Sequence, residues 1–229
     1  MTKAAMRRLR ILVAVAAMVL LGVSLPLAGP AAKTAALPAP SVDLPLARAP
    51  GEASAVFAGG CFWGVQAVFE HLQGVKSATS GYAGGSASAA NYVAVSRGDT
   101  GHAESVRVIY DPSKVSYGTL LRIFFSVAHD PTQLNRQGPD VGSQYRSAIF
   151  YGDDEQRRIA AAYIAELTQA HSFAAPIATR LEPLAGFFPA ESYHQSYVAR
   201  HPDDLYVAIN DLPKLKALRA AFPLLYRDG

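Results

Sequence analysis

The sequence predicts a layered α+β domain built around a mixed sheet. Short segments in which apolar and polar residues alternate, as in strands, are interspersed with segments of helical periodicity. Hairpin-like succession of some of these strand segments argues against an all-parallel sheet. Two long irregular segments, 81–103 and 129–146, are rich in Gly, Asn, Gln, Asp and His. Irregular segments of this length in a compact domain are usually functional or disordered, and their polar and aromatic content favours function.

Strands are predicted by alternation of apolar residues and by the turn residues that bound each segment. The clearest case is 104–112, where Val106, Val108 and Tyr110 alternate with other residues and Asp111-Pro112 ends the strand. The other predicted strands are a short one at 55–58, one in 74–85 that runs into a glycine loop, one at 146–152 and a last one at 177–184.

Helices are predicted by apolar faces of helical period and by their capping residues. The first follows residue 61 and has Val65, Val68, Phe69 and Leu72 on one face. The second, 116–129, has Ser116 as its N-cap, and the third, 153–171, has acidic residues in its first turn. A short helix at 189–201 has proline in its first turn.

Charge gives no case for nucleic-acid binding. The net charge of +3 depends on five basic residues that precede the first acidic one, Asp43. Without them, 16 of the 21 basic residues remain against 18 acidic ones, so the remainder carries −2. A slightly acidic domain lacks the basic surface that binding to phosphates requires.

The N-terminus has the pattern of an export signal. Basic residues up to Arg10 precede an uncharged apolar stretch from Ile11 to Gly29, as in the n- and h-regions of secretory signals. We expect residues 1–29 to be a cleaved signal peptide or, alternatively, an uncleaved anchor associated with the membrane. Either way, the protein is expected to be periplasmic, or anchored and facing the periplasm.

The domain boundaries follow from composition. Residues 30–53 contain five prolines among alanines, which predicts an extended linker that does not pack. Residues 54–229 are long enough for one domain, with about 70% of the chain surface buried.

Cys61, the only cysteine of the 229-residue chain, is the strongest candidate for chemistry. It stands in "GGCFWG" (59–64), after two glycines at a predicted strand-to-helix junction. A buried hydrophobic role is one interpretation. The other is a nucleophile whose thiol pKa is lowered by unpaired N–H groups at a helix start. Phe62 and Trp63 beside it predict either plain core or the wall of an apolar pocket.

Polar candidates lie in the two irregular segments. Glu104 stands where a loop enters a strand, and burial beside apolar residues would raise its pKa and make it a general acid. Tyr92, Asp140 and Tyr145 are further candidates. The histidines lack metal-ligand spacing, and one cysteine cannot build a thiolate zinc site, so we expect no bound metal. No glycine loop with a lysine that would bind phosphate is present, and we expect no bound cofactor. A thiol hydrolase or transferase that pairs Cys61 with His102 or His194 is an alternative.

Taken together, six ordered stretches resemble the type A peptide methionine sulfoxide reductases. They are "GGCFWG" at 59–64, "SGYAGG" at 80–85, "NYVAVSRGDTGHAESV" at 91–106, and the stretches 110–121, 129–151 and 187–197. The resemblance implies a two-layer sandwich with a mixed, mostly antiparallel sheet and a ferredoxin-like core. It also implies reduction of methionine-S-sulfoxide, free or in oxidised proteins and peptides, as repair.

The resemblance assigns a role to each candidate residue. Cys61 would attack the sulfoxide sulfur and become a sulfenic acid, while Glu104 would protonate the sulfoxide oxygen. Hydroxyls of Tyr92 and Tyr145 would share that oxygen. The remaining roles are a methyl cage made by Phe62 and Trp63, and a buried acid, Asp140, that organises the site.

One departure from the family affects the electron donor. Many relatives carry further cysteines that resolve the sulfenic acid, whereas this chain has none. We therefore expect an external thiol, from a thioredoxin-like protein or a small molecule, to reduce the sulfenic acid of Cys61. We also expect the protein to be a monomer. The lack of a second thiol also leaves open a non-catalytic sensor or a module that binds oxidised methionine.

Overall fold

The computed structural model describes residues 36–228. The predicted leader, 1–29, lies outside the described residues, as do positions 30–35 of the predicted linker. The strands are β1 (Ala53–Gly59), β2 (Val75–Ala83), β3 (Ala103–Tyr110), β4 (Arg136–Gln137), β5 (Asp140–Val141), β6 (Ser147–Tyr151), β7 (Arg180–Pro183) and β8 (Phe187–Pro189). The helices are α1 (Phe62–Glu70), α2 (Tyr92–Val95), α3 (Tyr117–Ile123), α4 (Asp154–Gln169), α5 (Tyr197–Arg200), α6 (Leu205–Asn210) and α7 (Leu212–Ala221).

Six of these strands form one sheet in the order β7-β6-β1-β3-β2-β8. Neighbouring strands are antiparallel, except for the parallel pair β6 and β7. The two short strands β4 and β5 form a separate antiparallel ribbon. The predicted mixed α+β fold is confirmed, whereas its finer description as a ferredoxin-like two-layer sandwich stays a prediction.

The central strand β1 leads directly into the site. It pairs with β3 on one side and β6 on the other, and it continues through Gly59 and Gly60 into α1. Gly60 has φ of +88°, and a Cβ at that position would lie 2.4 Å from the side chain of Gln137. Both the left-handed conformation and the lack of space require glycine here. The turn therefore places residue 61 at the end of the central strand.

Aromatic side chains join the sheet to the helices on one of its faces. The Phe57 ring of β1 stacks on Phe69 of α1 at 5.1 Å and on Phe124, directly after α3, at 5.0 Å. All three are fully buried, and burial of each such side chain contributes about 1.5–3 kcal/mol. The strand that leads into the Gly59–Gly60 turn is thus packed into the main core.

The predicted helix caps of α3 and α4 are present. The Ser116 hydroxyl accepts the N–H of Thr119 at 3.1 Å at the start of α3. Asp153 accepts the N–H of Gln156 at 2.7 Å at the start of α4. After Ile123, α3 continues as a π-helical turn, Phe124–Ala128, so the predicted helix 116–129 is right in extent.

The predicted helix 189–201 is wrong as a continuous element. A 3₁₀ turn at Ser192–His194 is separated from α5 by Ser196, which has φ of +47°. Contacts with α1 account for the break, because Ser196 donates its N–H to Gln66 at 3.1 Å and its hydroxyl to Glu70 at 2.7 Å. The predicted last strand is also shorter than expected, since β7 covers only Arg180–Pro183 of 177–184.

The prediction that residues 30–53 do not pack is wrong for the part next to the domain. Leu37 is buried in the main core, and its N–H is donated to the Ser126 hydroxyl at 3.1 Å. The Tyr163 hydroxyl donates to the carbonyl of Pro38 at 2.8 Å, and Asp43 accepts the N–H of Gly118 at 2.8 Å. Proline-rich composition indicated an extended chain, but it gave no signal for these long-range contacts.

Two helices close to the C-terminus, α6 and α7, have no counterpart among the predicted elements. Asp204 caps α6 by accepting the N–H groups of Tyr206 and Val207. Val207 and Leu218 are fully buried, and Val207 packs in a cluster with Ala67 of α1.

Within residues 36–228, no helix combines the length and apolarity needed to cross a membrane.

Candidate active site

Cys61 is the N-cap residue of α1 and is 9% exposed. Its backbone, with φ of −51° and ψ of 124°, is still extended, so the side chain lies beside the first N–H groups of the helix. The backbone N–H of Trp63 favours the thiolate, although the Cys61 side chain makes no capping hydrogen bond to the helix. The structure thus places the sulfur where the glycine turn predicted it, at the start of a helix.

The expectation that this position lowers the thiol pKa is wrong for the protein without substrate. Burial raises the pKa of Cys61 well above its usual value, and the carboxylates of Glu104 and Asp211 raise it further. Desolvation outweighs the Trp63 N–H because a buried thiolate loses its water on nearly every side. Cys61 is therefore a protonated thiol at neutral pH.

Glu104 lies near the start of β3 and is 3% exposed. Its Oε2 accepts the backbone N–H of Phe62 at 3.0 Å, which ties the acid to the residue that follows the cysteine. Burial raises the Glu104 pKa to about 8, and the nearby Asp140 carboxylate adds to this effect. Glu104 is therefore mostly protonated at pH 7, as expected from the sequence, and its charge repels a thiolate only in more alkaline solution.

Aromatic rings surround the two residues after the cysteine. Phe62 is fully buried and lies 5.0 Å from the ring of His194. Trp63 is half-buried, stacks on Tyr197 at 3.7 Å and meets the edge of Tyr206 at 5.9 Å. Its indole N–H donates to His194 Nδ1 at 3.1 Å. Phe62 thus belongs to the core, whereas Trp63 is an immobilised apolar wall with part of its ring accessible.

The predicted hydroxyls and the second acid lie at the same site. Tyr92 and Tyr145 are half-buried. Burial raises the pKa of both phenols, and the charges of Glu104 and Cys61 raise it further. Asp140 is half-buried rather than buried as expected, and it accepts a hydrogen bond from Tyr206 at 2.5 Å. The exposure follows from its place on the short ribbon strand β5, outside the main sheet.

Several residues of the site were missed by reasoning from the sequence. Tyr206 holds Asp140, and Tyr197 covers Trp63. Glu191 accepts the Tyr82 hydroxyl and the N–H of Tyr92, both at 2.9 Å, and so connects β2 to α2. A signal for α6 was present in Asp204, an N-cap residue before an apolar run. The contacts themselves join residues far apart in the chain, and no local pattern announces them.

Neither of the histidines proposed as partners for Cys61 hydrogen-bonds its sulfur. His102 Nδ1 accepts the N–H of Gly85 at 3.2 Å, and its Nε2 lies 2.9 Å from the carbonyl of Ser86. His194 accepts the indole N–H of Trp63 at Nδ1, and its Nε2 is buried without a hydrogen-bond partner among the described residues. A Cys–His pair of a thiol hydrolase requires a direct hydrogen bond, and neither histidine provides it. Within residues 36–228, moreover, no group of His, Cys, Asp and Glu could hold a metal ion.

The arrangement of these groups defines a class of protein. A thiol with a raised pKa beside a protonated acid suits a substrate that must receive a proton as the sulfur attacks it. Without a histidine base on the sulfur, acyl transfer is disfavoured. The class is a cysteine-dependent oxidoreductase with an α+β fold.

Comparison with known proteins identifies the family. Residues 53–223 match the family model described as "Peptide methionine sulfoxide reductase", and the chain belongs to this family. It is 55% identical to "Peptide methionine sulfoxide reductase MsrA 2" of Mesorhizobium japonicum over 180 residues, which cover 79% of this chain and 92% of the relative.

Solved structures with the same fold are similar over most of the described chain. The reduced form of Mxr1 from Saccharomyces cerevisiae is 32% identical, with a TM-score of 0.61, over 70% of this chain and 94% of that one. "Methionine sulfoxide reductase A of Corynebacterium diphtheriae" is 35% identical, with a TM-score of 0.58, over 68% of this chain and 77% of that one.

Proposed function

We propose that this protein reduces the S epimer of methionine sulfoxide, free or in oxidised proteins and peptides, to methionine, and thereby repairs oxidised proteins. One observation carries the proposal beyond family membership. The Glu104 carboxyl is bonded at 3.0 Å to the N–H that follows the cysteine, and its pKa is raised to about 8. A proton donor is thus fixed beside the nucleophile.

The chemistry divides into attack and protonation. The Cys61 sulfur attacks the sulfoxide sulfur while protonated Glu104 donates to the sulfoxide oxygen, which makes that sulfur electrophilic. The oxygen is transferred to Cys61, so the thiol becomes a sulfenic acid and the sulfoxide becomes the thioether of methionine. Two electrons pass from Cys61 to the substrate, and the atoms of thiol plus sulfoxide equal those of sulfenic acid plus methionine.

The other predicted residues supply binding in this proposal. Tyr92 and Tyr145 stay protonated because their phenol pKa values are raised, so both can donate hydrogen bonds to the sulfoxide oxygen. Trp63, fixed by Tyr197 and His194, forms the apolar wall for the substrate methyl group, and Phe62 supports it from the core. Asp140 raises the pKa of Glu104 and so helps to keep the acid protonated.

Return of Cys61 to the thiol requires an electron donor from outside these 229 residues, because they contain no second cysteine. A thiol attacks the sulfenic acid, water leaves, and a mixed disulfide forms on Cys61. A second thiol then releases Cys61 and leaves as the disulfide of the donor. A thioredoxin-like protein or a small thiol fits this role.

A single-turnover experiment tests the function. Purified protein is mixed with methionine-S-sulfoxide in the absence of reductant, and methionine and sulfenic acid are measured. We expect one equivalent of each from the wild type and none from Cys61→Ser. Wild-type protein that releases no methionine in the burst would refute the reductase function, and methionine-R-sulfoxide serves as the matched substrate control.

Three further proposals concern the context of the enzyme. The basic and apolar N-terminal pattern supports export to the periplasm, by a cleaved signal or an anchor, and mass spectrometry of the exported protein's N-terminus separates these. The strand succession β6-β1-β3-β2, with α1 between β1 and β2, supports the ferredoxin-like description. A monomer is our proposal for the assembly, and sedimentation velocity tests it.

A further inference from the structure

A buried ion pair lies between α6 and α7, outside the residues assigned above. Lys214 Nζ and Asp211 Oδ1 are 3.1 Å apart, and their side chains are 17% and 0% exposed. Asp211 joins the two helices, and Lys214 stands one turn further along α7. Removing two charges from water costs several kcal/mol per ion, so a pair at this depth calls for an explanation.

The pair presses against the first turn of α1. A Cβ on Gly64 would lie 2.1 Å from Asp211 Oδ1 and 2.5 Å from Lys214 Nζ. Only the missing side chain of Gly64 lets both charges approach so closely, three residues after Cys61 in the same turn. The pair is thus placed at the end of α1 that carries the nucleophile.

Half of the Asp211 carboxylate lacks a stabilising partner. Its Oδ2 is buried and has no hydrogen-bond partner among the described residues. A buried oxygen without a partner is destabilising, and replacing a buried ion pair by apolar residues is often neutral or stabilising. Stability of the fold therefore does not account for the pair, whereas an effect on the nearby Cys61 sulfur would.

The two charges act on Cys61 in opposite directions. Burial is the largest cause of its raised pKa, followed by Glu104 and Asp211, while the Trp63 N–H and the Lys214 ammonium lower it. The other titratable groups that face Cys61 are phenols whose own pKa values its charge raises: Tyr92 of α2, Tyr145 of the 143–145 turn, Tyr197 of α5 and Tyr206 of α6. These phenols are neutral at pH 7, so Lys214 provides the compensating positive charge.

We propose that Lys214, anchored by Asp211 against the first turn of α1, is a positioning residue that stabilises negative charge on the Cys61 sulfur, while Asp211 limits this effect and keeps the resting thiol protonated. The proposal rests on the reductase function. It applies to the attack on the sulfoxide and to the last step of recycling, when the second donor thiol displaces Cys61 as a thiolate from the mixed disulfide. A leaving thiolate of lower pKa departs faster.

The test measures alkylation of Cys61 by iodoacetamide from pH 6 to pH 11 in the full protein. The midpoint of this profile reports the thiol pKa, and its alkaline plateau reports access to the sulfur. We expect the Lys214→Met rate at pH 7.5 to be about 10-fold lower than wild type, a midpoint shift of about one unit. Asp211→Asn should shift the midpoint the opposite way, and Lys214→Arg should restore the wild-type profile.

Lys216→Met, an exposed lysine on the same helix, is the matched control and should leave the profile unchanged. A purely structural pair predicts that Lys214→Met and Asp211→Asn both alter the plateau or melting temperature without opposite midpoint shifts, and that result overturns the proposal. If Lys214→Met does not fold, Asp211→Asn decides alone, because a midpoint that stays or rises contradicts the role given to the pair.

Failure of this inference is distinguishable from failure of the reductase function. Alkylation needs no sulfoxide, so opposite midpoint shifts would stand even if the wild type released no methionine. For an active enzyme, Lys214→Met should lower the single-turnover rate at pH 7.5 by the same factor as alkylation. The sulfoxide concentration for half-saturation should not change, because Lys214 acts through Cys61. A change confined to that concentration would instead contradict the positioning role.

Discussion

Two regions of the molecule meet at Cys61 and are built in different ways. The nucleophile region consists of β1, the Gly59–Gly60 turn, the first turn of α1 and Glu104 on β3. The C-terminal region consists of α5, α6 and α7, residues 197–221. In the first, the reactive groups are attached to the central strands of the sheet. In the second, short helices supply Tyr206, Asp211 and Lys214 through contacts of side chains.

The reactive groups and the groups that adjust their reactivity thus come from different kinds of structure. The nucleophile region is held by ladder hydrogen bonds and by the stack around Phe57, and this rigidity fixes the cysteine and the acid. The C-terminal region adds charges and hydroxyls around them without entering the sheet. We therefore expect changes in the first region to remove activity and changes in the second to shift its rate and pH dependence.

The largest effect is expected from Glu104. Its raised pKa means that the protonated acid is present below about pH 8 and lost above it. The Cys61 thiol pKa is raised well above its usual value, so the thiolate fraction increases tenfold per pH unit throughout this range. The single-turnover rate should therefore rise tenfold per pH unit up to about pH 8. Above that pH it should stop rising, because the loss of protonated Glu104 offsets the gain in thiolate. Glu104→Ala should lower the rate at pH 7 by about 10²–10⁴-fold, the usual contribution of a general acid.

Glu104→Gln separates the hydrogen bond from the proton. The amide can still bond the sulfoxide oxygen, so this variant should keep more activity than Glu104→Ala. It has no acid to lose, and its rate should continue to rise with the thiolate beyond pH 8. A stopped-flow pH profile of methionine release checks this, and a break near pH 8 that persists in Glu104→Gln would assign the break to another group.

Much of the nucleophile region was predictable, because its signals are local. Two glycines between an apolar strand and a helical pattern specify a turn. The loop-to-strand junction made Glu104 a candidate acid, but its burial was a condition of that role and was not itself predicted. The direction of the Cys61 pKa was predicted wrongly, because the helix start is a local feature whereas burial is a property of the whole fold. Leu37 shows the same limit, since nothing in a proline-rich segment announces a contact with Ser126.

In the C-terminal region, only the Asp204 cap of α6 gives a local signal, and the contacts that the region makes with α1 were not predictable. The helices α6 and α7 are short, and the charged groups of Asp211 and Lys214 can approach α1 only because Gly64 has no side chain. A glycine in the first turn of a helix does not by itself predict a close contact, because its low helix propensity is the same whatever its neighbours are. Only the three-dimensional contact explains why this position has no side chain.

The junction between the two regions can be broken at that glycine. The added methyl of Gly64→Ala would meet the Asp211 carboxylate at 2.1 Å, so α7 or the ion pair must move. We expect the free energy of unfolding to fall by about 1–3 kcal/mol, as for overpacked sites, despite the better helix propensity of alanine. Urea unfolding measures this. Gly152→Ala, where the nearest atom would be 3.8 Å away, is the control and should change stability much less.

The smallest effect is expected from Tyr206→Phe, which removes the bond from the hydroxyl to Asp140 and leaves the ring against Trp63. A hydrogen bond to a charged group contributes about 1.5–3 kcal/mol, and the half-buried Asp140 recovers part of this from water. Without this donor the Asp140 carboxylate is held less firmly in its place near Glu104. We expect a single-turnover rate lower by about 3- to 10-fold, and unchanged alkylation access at high pH.

Asp140→Asn tests the connection, because Tyr206→Phe should have little further effect in that background. Additive losses in the double variant would show that Tyr206 acts on the substrate directly rather than through Asp140.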